Sequence, residues 1–492
     1  MLTYADLKKT HSDYDRDECI RLWSLYKGGK TFRKNVNMFL PQNPDETSDV
    51  YENRKKESSY RSYIGPIVDY FVQWLFSGGF TMKAKDSKSK KPIEGISSIY
   101  TDFQSDCGND VSFHSFLRDR TTVAMVKGKS HWLLQKPKAD FDPKSEQEAE
   151  DAGLTRPTAV PIEEENVLDF MKDEHGAYEW VCIYSRKELR AAPGQPTIIR
   201  QQWHVIDREN TTIYSIDRKP GEENLKDGDP IPCIQPAAAH GFKEVPLVTL
   251  TMPDGLWIAN RVAEPQTEHF RLSAALGWAI RRTCYAMPIF NIEDGENTVP
   301  KMGAGYYIQL GANDKFSWST PQSTPYDIIG KQVDAQRDEI YRITHQMAQG
   351  LDNNADTVGR SADSKEFDEA STKVMLTAYG KLISEVVEES FEIISDANGD
   401  ERMTWDIDGF TGYDVATLSR LIANALQIKA FGIASKTFAQ QVQTKLALAV
   451  IPEANEEVKN LVREEIIKGA IELLPDVSIQ SAADSRSMSI LT

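Results

Sequence analysis

Lys127-Gly128-Lys129-Ser130 resembles the end of a phosphate-binding loop, whose glycines let backbone amides wrap a phosphate while the lysine reaches its outer oxygens. The first glycine of such a loop would fall at position 123, where the chain has Val123. Without it the wrapping turn is lost, and VAMVKGKSHWLLQ reads as two short strands around a Lys-Gly-Lys turn. Gly359-Arg360-Ser361-Ala362-Asp363 approaches a nucleophile elbow, but the closing glycine is aspartate and no apolar strand precedes it, so it reads as an exposed loop. The eight histidines never fall three or four apart, which removes the helical metal pair of H-E-x-x-H. Glu163-Glu164-Glu165 could in principle hold Mg²⁺, yet three acids ahead of an apolar stretch read as a solvated face or a helix start. The spacing therefore argues against catalysis: no enzyme activity, metal or cofactor is expected.

The elements that would have to position any function are clearer. Ile64, Ile67, Val68, Phe71, Val72, Leu75 and Phe76 form one helical stripe, and Gly78-Gly79 end it. A second helical stretch is expected over residues 96–116, leading into strands over 123–134. Residues 138–160 are charged, contain two prolines and have no period, so they read as a surface loop. Period-two text follows in Trp180 to Tyr184, Ile198 to Ile206 and Thr211 to Ile216, an antiparallel meander with a hairpin turn at Asp207 to Asn210. A polar excursion over 218–232 precedes a strand from Val245 to Thr251.

The second half is mainly helical. A long helix is expected over 256–283, and 26 residues at about 1.5 Å each would span about 39 Å. Tyr285 to Ser319, rich in Gly, Pro and aromatics, reads as a compact β insert. Thr324 as N-cap and Pro325 in the first turn then open another helix. In it Tyr326, Ile329, Val333, Gln336, Ile340, Ile343 and Met347 make a narrow seam broken only by Gln336, the pattern of packing against one neighbouring helix, in a bundle or a ring of identical helices. Residues 350–365 are polar and glycine-rich, an expected loop, and Asp363 with Glu366 resembles a helix-start box. The helix it opens, from Phe367 to about Ile394, carries Gly380 where a kink is possible. A short strand at Trp405 to Ile407 and helices over 413–431, 435–450 and 456–474 complete the chain, with residues 476–492 expected to be mobile.

Composition bounds the partners. With 57 Lys plus Arg against 74 Asp plus Glu, the net charge of −17 excludes a histone-like or repressor-like duplex binder, because such affinity comes from cations displacing counterions. No run of about 18 apolar residues exists, and the N-terminus has no apolar leader core, so neither secretion nor membrane spanning is expected. The five scattered cysteines, Cys19, Cys107, Cys182, Cys233 and Cys284, form no C-x-x-C and read as buried thiols in a reducing cytoplasm. No internal repeat of solenoid length is present.

The order of these parts resembles the portal (head-to-tail connector) proteins of tailed bacteriophages over roughly residues 50–475. The resemblance rests on Tyr51 and Arg54 with Pro66-Ile67-Val68-Asp69 and Leu75-Phe76, and on a long helix followed by Met287-Pro288-Ile289 and a Gly-rich insert from Gly303 to Gly311. A second long helix, a polar loop and a kinked helix follow, then Phe431-Gly432-Ile433-Ala434-Ser435-Lys436, similar to the family's G-x-x-S-x-x-T phrase. Ala434 and Phe438 depart from that phrase, and the 138–160 loop has no counterpart. The resemblance implies a mainly α fold with α/β parts: a wing of 1–255 completed by a kinked helix and closing strand over 367–412, stem helices at 256–283 and 324–350, a clip at 284–323, a tunnel loop at 351–366 and a helical crown at 413–475.

It further implies a twelve-subunit ring at one capsid vertex of the virion, assembled in the bacterial cytoplasm, through which double-stranded DNA is packaged and ejected. The implied partners are further copies of the chain, the large terminase subunit, major capsid and scaffold proteins, head-completion or adaptor proteins, and double-stranded DNA passing non-specifically, with no membrane. Asp352, Asn353, Asn354, Asp356, Arg360, Asp363 and Lys365 would face the DNA channel, and an acidic wall would let DNA slide. Glu293, Asp294, Glu296, Tyr306, Tyr307, Phe316 and Trp318 would form the clip surface. Tyr326, Ile329, Val333, Ile340, Ile343 and Met347 would form the stem seam. Other readings are a virion scaffold without a channel and a metal-dependent nuclease.

Overall fold

The computed structural model describes residues 2–410 except 90, 94–96, 137–155, 191, 223, 284–286, 292–314, 320–323, 350–361 and 401–402; beyond 410 it describes 440, 443–444, 447, 458, 461–463 and 465–466. The chain divides into two units, Met1–Tyr413 and Asp414–Thr492. In the second, the described residues are helical and Ile466 is buried.

The first unit is mixed helix and sheet. It opens with α1 (Tyr4–Leu7), α2 (Arg16–Lys27), α3 (Gly29–Lys34), α4 (Ser48–Glu57) and α5 (Ile64–Leu75), then β1 (Thr81–Asp86), α6 (Ser98–Ser105) and α7 (Phe113–Lys127). Next come β2 (Lys129–Gln135), β3 (Thr158–Ile162), β4 (Val167–Lys172), β5 (Tyr178–Leu189), β6 (Ile198–Asp207), β7 (Asn210–Arg218), β8 (Cys233–Ala239) and β9 (Leu247–Thr251). It ends with α8 (Ile258–Thr283), β10 (Met287–Asn291), β11 (Lys315–Ser319), α9 (Thr324–Gln349), α10 (Ala362–Asn398) and β12 (Met403–Asp408).

The stripe on α5 is buried as its spacing requires, every apolar member from Ile64 to Leu75 lying inside. It joins one large core in which α5, α7, α8 and α10 meet. Aromatic rings organise it: Phe32 stacks on Tyr60 at 3.8 Å and on Phe39 at 4.6 Å and meets Phe270 of α8 edge-on at 4.8 Å. A second ring group joins Phe103 and Phe113 to Phe391 of α10, which also packs on Trp405 of β12.

Around this core lie a three-stranded sheet in the order β3-β2-β9 and a five-stranded meander β4-β5-β6-β7-β8. β1 pairs antiparallel with β12, and β10 with β11. The meander matches the period-two text, with Ile206 opposite Thr211 across the expected turn.

Several expectations are corrected. Residues 123–127 are not a strand but the last turns of α7, buried on every side, so no periodicity shows there. Gly128 caps that helix in the left-handed region at φ 89°, and a Cβ on it would lie 2.9 Å from the Trp257 ring, so glycine is required twice over. The stretch expected over 96–116 divides into α6 and the start of α7. Thr158 to Val160, read as loop, belong to β3, an edge strand where Pro161 costs no ladder bond. β8 was not expected at all: CIQPAAA is largely exposed and has no alternation. Cys233 is exposed, while Cys19, Cys107 and Cys182 are buried; Cys284 lies outside the described residues. α10 is already helical at Ala362, so Asp363 does not start it, and 362–366 are helix rather than loop.

Candidate functional site

The chain leaves the core along α8 and returns along α9, each 26 residues long, through the β10–β11 hairpin. The two helices pack against each other and run antiparallel, with His269 of α8 near Arg337 and Asp334 of α9. At the body end the fit is tight. Ile258, Ala259, Val262, Ala263, Phe270 and Ala274 of α8 are buried, as is Ile340 of α9. Gln266, wholly buried, accepts from the Tyr63 N–H at 2.8 Å and donates to the Arg61 carbonyl at 3.0 Å, tying α8 to the entry of α5. His269 meets the Tyr63 ring edge-on at 5.0 Å, and burial with nearby Arg61 and Arg337 lowers its pKa, favouring the neutral ring.

At the hairpin end the same pair is open. Tyr326, Ile329 and Val333 are only half-buried, Ile280 is 41% exposed and Ile328 56% exposed. α9 therefore packs on α8 within the same chain; at this end Ile280 and Ile328 stay exposed, while the exposed Tyr341 lies toward the body, beside Ile340, and meets the Tyr63 ring edge-on at 5.9 Å. The backbone of Met347 is helical, and those of Phe316 and Trp318 lie in β11, opposite Phe290 and Pro288. Glu293, Asp294, Glu296, Tyr306 and Tyr307 lie outside the described residues, as do Asp352, Asn353, Asn354, Asp356 and Arg360; Asp363 and Lys365 are helical.

The motif residues Tyr51 and Arg54 act together on one turn. The Tyr51 hydroxyl donates to the Leu40 carbonyl at 2.8 Å, while Arg54 grips Glu46 through Nε and Nη2 and donates to the Pro41 carbonyl at 2.8 Å. Their role here is to clamp residues 39–46.

The two motifs set aside in the sequence meet in space. Lys127, 2% exposed at its side chain, donates to Glu163 at 2.6 Å and Glu165 at 2.7 Å and lies 5.1 Å from the Trp23 ring. Burial alone would lower the lysine pKa; the two carboxylates outweigh it and leave it raised. The triplet opens a short 3-10 turn over Glu164–Asn166, as the helix-start reading allows, and supplies the counter-charge of a buried ammonium. Glu164 bonds His131 Nε2, and His131 Nδ1 meets Thr249 Oγ1 at 2.9 Å, which the Tyr178 hydroxyl also contacts at 3.1 Å. Desolvation pushes Glu164 up, but His131 and the lysine charges outweigh it and hold its pKa below the usual carboxylate range.

Glu164, His131 and Thr249 have the order of an acid, base and hydroxyl nucleophile. A small cavity of about 40 Å³ adjoins them, lined by His131, Glu164, Tyr178 and Thr249 among others. The relay fastens the start of β4 to the three-stranded sheet. Sequence spacing had no means of finding it, because its members come from positions 131, 164 and 249. Among the described residues no group of three His, Cys, Asp or Glu is placed to hold a metal, and no helix is long and apolar enough to cross a membrane.

No protein-family model matches the chain, and no curated protein matches it in sequence. Among solved structures it is similar to a chain from the neck of an empty gene transfer agent particle, with a TM-score of 0.40 and 11% identity over 81% of this chain and 88% of that one. It is also similar to a chain of the virion of a native gene transfer agent particle, with a TM-score of 0.41 and 10% identity over 88% of this chain and 98% of that one.

Proposed function

We propose that this chain is the subunit of a portal-type ring of a phage-like virion, a structural protein through which double-stranded DNA passes. The observation that carries the reading is the helical pair: two helices of 26 residues, bedded in the core at one end and open at the other, where they lead into a small β hairpin. Repeated around an axis, such pairs would line a channel about 39 Å deep at 1.5 Å per residue. The exposed Ile280 and Ile328 would then be covered by neighbouring copies.

Under this reading the insert around β10 and β11, with Glu293, Asp294 and Glu296, faces the packaging motor or an adaptor, and the segment 351–366 faces the DNA. From Asp352 to Glu369 the charges are Arg360 and Lys365 against Asp352, Asp356, Asp363, Glu366, Asp368 and Glu369, or 2 − 6 = −4 per copy. Multiplied around a ring, that acidity would keep the wall from gripping phosphates. Negative-stain imaging of the purified chain tests the reading. Closed rings with a central hole are expected; a stable monomer at micromolar concentration across salt conditions would overturn it.

A further inference from the structure

The three-stranded sheet and the meander pack on each other through Leu133 and Leu247 from one and Val181, Ile183 and Ile206 from the other. That contact does not extend across the whole meander. One cross-strand row, Ile183, His204, Ile213 and Gln235, runs from β5 through β6 and β7 to β8 on a single face of the sheet. Ile183 is buried in the shared core, whereas His204, Ile213 and Gln235 line a cavity of about 380 Å³ between the two sheets. Leu133, Leu134, Ile206, Phe242 and Pro246 make the rest of its wall largely apolar. The volume falls in the range of pockets that take small molecules, about 300–1,000 Å³.

The charge in that wall has one sign. Among the described residues that line the cavity there is a single lysine, Lys136, and no carboxylate. The acids closest in sequence, Glu244 and Asp396, stand near each other and do not line it. Lys136 Nζ donates to the Ala397 carbonyl at 2.7 Å and lies 5.7 Å from the Phe242 ring, and it makes no ion pair among the described residues. Burial lowers its pKa with no neighbouring carboxylate to offset the effect. An ammonium has more N–H donors than that one bond uses. His204 adds a neutral polar group, since burial first and Lys187 second lower its pKa, and neither ring nitrogen has a hydrogen-bond partner among the described residues. The His240 ring is by contrast committed, between the Asp207 carbonyl and the Phe242 N–H. A half-buried cation without a counter-charge, at the wall of an apolar hollow, is complementary to an anionic head on an apolar body.

We propose that this cavity binds a small amphipathic organic acid, with its hydrocarbon part between the two sheets and its carboxylate on Lys136. The site lies away from the α8–α9 pair and does not depend on the ring reading.

Octanoate is the probe, with 1-octanol as its uncharged counterpart and acetate as the head without the body. Isothermal titration calorimetry on the full chain is expected to show octanoate binding about tenfold more tightly than octanol, the worth of one charge-assisted hydrogen bond, and acetate not binding at the same concentrations. Lys136→Met keeps the apolar stem and removes the charge, so it should bring octanoate down to the affinity of octanol and leave octanol unchanged. Ile213→Trp fills the hollow and should weaken both. Circular dichroism with thermal melting checks that each variant is folded, and the comparison of octanoate with octanol in the parent needs no variant. A diazirine-bearing octanoic acid photolysed on the parent should label peptides that contain Lys136, His204 or Phe242, and excess octanoate should suppress the labelling. Octanol binding as tightly as octanoate, Lys136→Met weakening neither or both alike, labelling confined to other peptides, or no octanoate bound at millimolar concentration would each overturn the proposal.

Discussion

The two ends of the α8–α9 pair are built from the same helices yet do different work. At the body end the main apolar side chains have their partners inside the chain: Phe270 lies among Phe32 and Tyr60, and Ile340 is wholly buried. At the hairpin end Ile280 and Ile328 have water on one side. The lesson is that one continuous helix can serve monomer stability over half its length and contact with a neighbour over the rest. Substitutions at the two ends should therefore separate those properties.

Phe270→Ala should have the largest effect on the isolated chain, about 3–5 kcal/mol of stability, since it empties the centre of the aromatic stack. Urea unfolding monitored by tryptophan fluorescence measures it, and a loss below about 1 kcal/mol would mean that the body end is not the anchor. Gln266→Ala should cost less, about 1–3 kcal/mol, because it strands the Tyr63 N–H and the Arg61 carbonyl away from water. Ile328→Ser should leave monomer stability within about 0.5 kcal/mol while reducing the ring fraction at fixed concentration. If it destabilises the monomer as Gln266→Ala does, the hairpin end is part of the intrachain core and the contrast fails.

Elements buried on one side were legible in the sequence, and elements buried on all sides or on none were not. α5 and the seam of α9 announce themselves because only one stripe is apolar. The end of α7 reads as a strand because Val123, Ala124, Met125 and Val126 are all inside, which erases any period. β8 fails the opposite test, exposing most of its residues. The polar cage shows a further limit. The Lys127 motif and the Glu163 triplet each look like half of a chemical site, and only the fold brings the two together as one ion cluster with His131. Of the stem seam, Ile340 is buried and Tyr326, Ile329, Val333 and Ile343 are half-buried, whereas the expected clip acids and most of the channel acids lie outside the described residues.

The pairing of β1 with β12 bears on how the protein is made. Thr81 lies opposite Asp408, so the strand of residues 81–86, bridged locally to Pro92, lacks its sheet partner until the ribosome has added more than three hundred further residues. At about 5–20 residues per second that wait is roughly 15–65 s. Throughout it Trp405, packed on Tyr100 in the finished protein, has not yet arrived to cover that ring, and the side of β1 that receives β12 is open. A nascent chain halted before residue 403 should consequently be held by chaperones, and release into the assembly pool should coincide with emergence of the closing strand.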